Sequence, residues 1–204
     1  MVSYRTLKHA LGRLWHYYIK PQTCEFGKIG TNSVVGIPAD LKCPKNIFIG
    51  NNSRIGPRST ILTVRDGKFI YGNNNGAAEG LVVIASNHKQ KVGVFRTGSN
   101  TDNIYRDVVV EDDVWIGINV TLLPGTHISR GCIVGASSVC AGYYPPYSVV
   151  VGNPAKVVKF KFSIDDIIKH EKLLYPIEER KQRSELVDIF EAYPEAAERK
   201  PYSN

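Results

Sequence analysis

The sequence predicts an all-β core wound as a parallel β-helix of hexapeptide repeats, with an N-terminal helix and a C-terminal helical tail. Three observations carry this. In the stretch 110–140, "VEDDVWIGINVTLLPGTHISRGCIVGASSVC", an aliphatic or small apolar residue returns at every sixth position: Val110, Ile116, Leu122, Ile128, Val134 and Cys140. A helix repeats near 3.6 residues and a strand near 2. A short extended run and a tight turn, repeated on three flat faces, instead return one side chain to the interior every six. Second, Val114, Val120, Thr126, Cys132 and Ser138, four positions further on, are small or β-branched, as a crowded prism corner requires. Third, an earlier block keeps the beat, with Ile29, Val35 and Leu41 followed by Ile49, Ile55 and Ile61.

The second triplet is displaced by two residues, which places an extra pair near Lys45 and Asn46. Gly117 and Gly135 directly follow inward residues, where space is tight. "VGNPAKV" pairs Val151 with Val157 on the same beat. Between residues 62 and 107 the beat blurs. That region reads as an interrupted coil and then an outward loop, 89–106, "KQKVGVFRTGSNTDNIYR". A β-sandwich would leave two long runs in phase to chance.

The ends differ from the middle, which divides the chain into an N-terminal amphipathic helix (1–21), the β-helix (22–160) and a helical tail (161–204). In "YRTLKHALGRLWHYYIK" the residues Leu7, Leu11, Leu14, Trp15 and Tyr18 share one helical stripe, and Pro21 is the expected stop. Its formal charges are all positive. The stripe is expected to plug the open end of the coil, whose strand edges need covering; a helix lying on a membrane surface is the less favoured alternative. In the tail, Ser163 and Asp166 form a capping box, and Pro176 ends one helix and precedes another. Past Ala192 fraying is expected.

At 204 residues the chain suits one principal domain with a substantial core. No apolar run approaches a membrane span and no secretory leader is read, so a cytoplasmic location is expected. The four cysteines include no CxxC pair, and Cys132 and Cys140 fall at interior positions, which suggests core filling rather than disulfides or metal. The net charge of +7 is uneven: residues 161–204 hold 8 basic and 10 acidic residues, leaving 18 and 9 before them. Aromatics do not interleave with the basic residues, so nucleic acid is not expected, and a phosphate-rich ligand accounts for the basic body.

The hexad runs, "DDVWIG" at 112–117, "IVGASSV" at 133–139 and "YYPPYSVVVGNPAKVV" at 143–158 together resemble the hexapeptide-repeat acyltransferases. The nearest group is that of maltose and galactoside acetyltransferases and polysaccharide O-acetyltransferases. The tail is similar to that of the xenobiotic (streptogramin and chloramphenicol) acetyltransferases. The resemblance covers residues 27–176. It implies a left-handed coil, against the usual hand of parallel crossovers, and a homotrimer with active sites between neighbouring subunits. It also implies acetyl-CoA as co-substrate, no required metal, and transfer of acetyl to a hydroxyl of a sugar, nucleotide-sugar or polysaccharide precursor. Antibiotic acetylation and sugar N-acetylation are the enzymatic alternatives, and a trimeric scaffold the non-enzymatic one.

Acyl transfer to an alcohol needs a base poised near neutral pH, for which histidine is suited. His9 and His16 lie in the end helix, His170 in the tail, and His127 at an outward coil position. His88 stands at the end of "LVVIASNH", and the resemblance assigns it the base. Asp66, Glu79 and Asp107 are candidates to orient its ring. The resemblance further places Trp115 along the pantetheine arm, backbone groups of Ala136 and Ser137 on its amides, and Lys156 at the 3′-phosphate. Many relatives carry Thr-Lys-Asp before the Pro-Pro pair, whereas this chain has Ala141, Gly142 and Tyr143, which leaves Lys156 or Lys159 to supply the cation. Arg96, Tyr105 and Arg106 of the outward loop are candidates for acceptor binding. A zinc carbonic anhydrase needs three converging imidazoles, and only His88 and His127 fall in the coil.

Overall fold

A computed structural model of the chain describes residues 4–95 and 103–202. The core is a left-handed parallel β-helix of about six turns. Among the described residues, face one stacks strands Lys28–Ile29, Ile47–Ile49, Phe69–Tyr71, Val108–Val110, His127–Ile128 and Tyr143–Tyr144. Face two stacks Val34–Val35, Arg54–Ile55, Gly76–Ala77, Trp115–Ile116, Ile133–Val134 and Ser148–Gly152, and face three stacks Ala39–Lys42, Ser59–Leu62, Val82–Ile84, Thr121–Leu122 and Val139–Cys140. Pairing between coils is parallel throughout, as in Ile116 with Val134 and Leu122 with Cys140.

The six-residue beat is the interior. Val110, Ile116, Leu122, Ile128, Val134 and Cys140 are fully buried, as are Val120, Thr126, Cys132 and Ser138 at the corners. At roughly 1.5–3 kcal/mol for each large aliphatic removed from water, this column is the main source of cohesion. Ile49, Ile55, Ile61 and Leu41 continue it downward. Ile29, expected inside, is 45% exposed, because the first coil has no strand beneath it on face one. The expected extra pair at Lys45 and Asn46 is a 3-10 turn, Pro44–Asn46, at the corner between faces three and one.

The blurred stretch is a complete coil: Tyr71, Ala77 and Val83 lie inside on a six-residue beat, disguised by pairing a very large residue with a very small one. "VGNPAKV" is not a further coil. Strand Ala155–Phe160 turns back antiparallel on Ser148–Gly152, with Val150 facing Val157 inward and Val151 facing out opposite Lys156.

The corner between faces one and two is held by stacked short polar side chains. Asn32, Asn52, Asn74 and Asp113 all adopt left-handed backbone (φ 54–57°), which Asn and Asp tolerate better than other non-glycine residues. Asn51, Asn73 and Asp112 each accept an amide hydrogen from the coil below, at 2.9, 2.8 and 2.6 Å. Gly50 has no alternative beneath them, since an added Cβ would sit 2.6 Å from the Gly72 carbonyl carbon and the Asn73 side chain.

The N-terminal helix does not plug the coil with its stripe. Helix α1 (Tyr4–Leu14) buries none of its residues, and the helical path runs past Pro21 through a π-helical segment, Trp15–Ile19, and α2 (Lys20–Thr23). Pro21, Cys24 and Phe26 cover the core instead. His16 pairs with Asp40 at 2.8 Å and the Lys20 ammonium donates to the Leu41 carbonyl at 3.0 Å, fixing this segment to the edge of face three.

The tail folds back on the last coils as α3 (Ile164–Leu174), α4 (Arg183–Ala192) and α5 (Pro194–Ala197). Ser163 caps α3, accepting from the Asp166 amide. Tyr147, Ile167 and Leu186 form a second small core, and Phe160 stacks on Phe190 at 3.8 Å. The expected fraying past Ala192 is not seen through Tyr202: Ala196 is buried and the Tyr202 amide donates to the Phe160 carbonyl. No helix among the described residues is long and apolar enough to cross a membrane.

Candidate active site

His88 ends a short strand, Ser86–His88, that leaves the coil at the corner between faces three and one. It pairs antiparallel with Asn103–Tyr105, His88 opposite Asn103 and Ser86 opposite Tyr105. The outward segment is therefore a two-stranded ribbon at its base rather than a loop throughout. Its neck is closed where the Arg106 amide donates to the Ala85 carbonyl at 3.1 Å. Gly67 permits this, because a Cβ there would stand 2.2 Å from that same carbonyl oxygen. His88 itself is exposed, and its backbone amide donates to the Asn87 side chain at 2.8 Å.

Of the carboxylates considered as partners, Asp66 and Asp107 share the His88 corner, and Asp107 accepts the Lys68 amide at 2.8 Å. Glu79 does not share it. It lies at the corner between faces two and three and pairs with Arg58 at 2.7 Å. Tyr105 is half-buried, its hydroxyl accepting from the Asn103 amide group at 3.1 Å. Arg106 is exposed, with its stem packed over Gly125. Arg96 lies outside the described residues.

Trp115 opens its strand on face two with its indole 54% exposed. The ring lies against Gly76 of the coil below, where a Cβ would meet ring atoms at 2.8 Å. Ala136 and Ser137 form the exposed corner between faces two and three, with Ser137 in left-handed backbone and its amide on the Ile118 carbonyl. Lys156 is exposed just beyond the Gly152–Ala155 turn of the hairpin on face two. The Lys159 ammonium lies 5.1 Å from the Tyr202 ring, held against the tail.

Within one chain, then, the named residues form two groups. Trp115 and Lys156 share face two, with Ala136 and Ser137 at its edge. His88, Tyr105 and Arg106 stand at the one corner of the prism that face two does not touch. Among the described residues, the chain does not bring the two groups together.

The buried thiols offer no covalent alternative. Cys132 and Cys140 are fully buried, and burial pushes their thiols up to about 11 and about 12, so each stays a neutral, poor nucleophile. All four cysteines are free. The sequence reading missed one pair on face one: His127 Nε2 lies 2.6 Å from Glu111, whose other oxygen accepts the Arg130 amide. Glu111 directly follows strand Val108–Val110, which neighbours His127–Ile128 in the stack, with Val109 opposite His127 and Val110 opposite Ile128. That adjacency follows only once the coil is drawn.

The family model for the bacterial transferase hexapeptide (six repeats) matches residues 107–142. A probable macrolide acetyltransferase of Lysinibacillus sphaericus is 48% identical over 61 residues, 30% of this chain and 34% of that protein. A putative lipopolysaccharide biosynthesis O-acetyl transferase of Escherichia coli is 52% identical over 52 residues, 26% of each. The chain thus spans only about a quarter to a third of the length of these curated relatives. A maltose O-acetyltransferase from Clostridium difficile superposes over 78% of this chain and 76% of its own, with a TM-score of 0.60 and 26% identity. The stacked hexads, the matched repeats and this superposition together support assignment to the hexapeptide-repeat acyltransferase superfamily.

Proposed function

We propose that the protein is an acetyl-CoA-dependent O-acetyltransferase acting on a hydroxyl of a sugar, nucleotide-sugar or polysaccharide precursor. The observation that carries the reading is the placement of His88, an exposed imidazole on a ribbon clamped outside an otherwise closed coil. His88 accepts the acceptor's hydroxyl proton and the oxygen attacks the thioester carbonyl, which acetyl-CoA supplies. Backbone N–H groups hold the oxyanion. On collapse the acetyl stays with the acceptor, and His88 returns the proton to the departing thiolate. No acyl-enzyme is required, in keeping with buried, neutral Cys132 and Cys140.

The separation of the two residue groups supports a site shared by neighbouring copies in a homotrimer. One copy contributes His88, with Tyr105, Arg106 and Arg96 around the acceptor. The next contributes face two, where Trp115 flanks the pantetheine arm, Ala136 and Ser137 present backbone groups, and Lys156 meets the 3′-phosphate. These residues fit such a ligand: an exposed ring, an open corner of peptide groups and an exposed cation. Similarity to a probable macrolide acetyltransferase and to a chloramphenicol acetyltransferase of Escherichia coli favours a second reading, acetylation of an antibiotic hydroxyl. Release of CoA from acetyl-CoA, measured across a panel of sugars, nucleotide-sugars, macrolides and chloramphenicol, tests both. Turnover of a sugar class alone supports the first reading, and turnover of none rejects both.

A further inference from the structure

The N-terminal helix combines two properties that the rest of the fold leaves unused. Leu7, Leu11, Leu14, Trp15, Tyr18 and Ile19 are all 39–58% exposed although they fall on one stripe. Residues 4–24 contain no acidic side chain, while Arg5, Lys8, Arg13 and Lys20 carry positive charge beside that stripe. Near its end the segment is fastened to the coil through His16 on Asp40 and Lys20 on the Leu41 carbonyl. Between α1 and face three runs a groove of about 500 Å³, lined by Ala10, Leu14, Tyr17 and Pro38 among others, so α1 stands off the coil.

We infer that α1 docks the protein on an anionic lipid surface, its apolar stripe entering the headgroup boundary. Charge selects this occupant over a second copy: without the helix, residues 22–160 still carry 14 basic side chains against 9 acidic, so another coil would oppose a basic helix with a basic body. The stripe also has interfacial chemistry. Trp15 and Tyr18 pair an apolar ring with a polar tip, Leu7 and Leu11 supply depth, and the cations meet lipid phosphate. No helix among the described residues is long and apolar enough to cross the bilayer, so the segment lies along the surface.

The test sediments the full-length protein with vesicles of phosphatidylcholine alone, or with roughly a third of the lipid replaced by phosphatidylglycerol, whose charge attracts basic segments. The expected result is binding to the anionic vesicles alone, weakened by salt. Lys8→Gln should weaken it about fivefold, the effect of one cation near the surface, and Leu11→Glu should abolish it with the oligomeric mass in solution unchanged. Absence of binding to anionic vesicles overturns the inference. So does a fall in oligomeric mass for Leu11→Glu, which would make the stripe a seam between copies. Neither readout involves acetyl transfer, so the outcome is independent of the proposed reaction.

Discussion

The Tyr147 hydroxyl donates to Glu171 at 2.6 Å, joining a buried ring of the last coil to a carboxylate of α3 that is 1% exposed. The other oxygen of Glu171 holds Arg130 at 3.1 Å, and the guanidinium lies 3.9 Å over the Tyr175 ring. Burial first, and then the hydrogen bond to Glu171, push the Tyr147 hydroxyl far above its ordinary range. Gly131 makes the arrangement possible, since a Cβ there would strike the Tyr147 ring at 2.5 Å.

Removing Glu171 therefore leaves Arg130, whose side chain is 14% exposed, with only the longer ion pair to Glu179 at 4.0 Å. Glu171→Ala is expected to cost about 3–5 kcal/mol in urea unfolding. Tyr147→Phe, which removes one hydrogen bond and leaves the packing, should cost about 1–3 kcal/mol. Equal costs for the two substitutions would refute this account of the network.

His88→Ala should lower kcat about 10²–10⁴-fold, the usual contribution of a positioned base. The residue is exposed, so the melting temperature should not move. Loss of activity accompanied by unfolding would point to a structural role for the imidazole instead.

Lys156→Ala should raise KM for acetyl-CoA by about tenfold, consistent with losing a charge-assisted hydrogen bond at an exposed site. For acetyl-3′-dephospho-CoA, which lacks the phosphate, KM should hardly change. Mixing His88→Ala chains with Lys156→Ala chains should yield some sites carrying both native residues. Recovery of low-KM turnover in the mixture, absent from either parent, is the signature of a site completed across copies.

Thiol chemistry supplies a fourth test. With native protein, Ellman's reagent should label exposed Cys43 rapidly and leave Cys132 and Cys140 untouched until unfolding. Both buried thiols are raised by burial, so their contribution to stability is full below the unfolded-state value of about 8.5. It is lost as pH rises toward about 11 for Cys132 and about 12 for Cys140. Urea midpoints should therefore fall more steeply above pH 8.5 in the native chain than in Cys140→Ala.

The hexad core was legible because one interior column is aliphatic and strictly periodic, from Val110 to Cys140. The coil through Tyr71 and Ala77 was hidden because burial at a fixed position does not fix side-chain size when neighbouring coils compensate. Periodicity found an apolar stripe on α1 but could not say what covers it. The plug is made by Pro21, Cys24 and Phe26, which have no periodic signature. The second ribbon strand, Asn103–Tyr105, is only three residues long and pairs across a long excursion, so no local pattern announces it. The separation of His88 from Trp115 was equally unreadable. Twenty-seven positions along the chain say nothing about which corner of a triangular section each residue occupies.

The amide of Arg106 on the carbonyl of Ala85 ties off the ribbon where it leaves the prism. Val108 then resumes its place directly above Phe69, as though nothing had intervened. Whatever lies beyond that knot can lengthen, shorten or change composition while the winding underneath keeps its register. If the appendage binds the acceptor as proposed, substrate choice is thereby uncoupled from the solenoid's own stability, and a new acceptor could be accommodated by exchanging one appendage rather than rebuilding the stack.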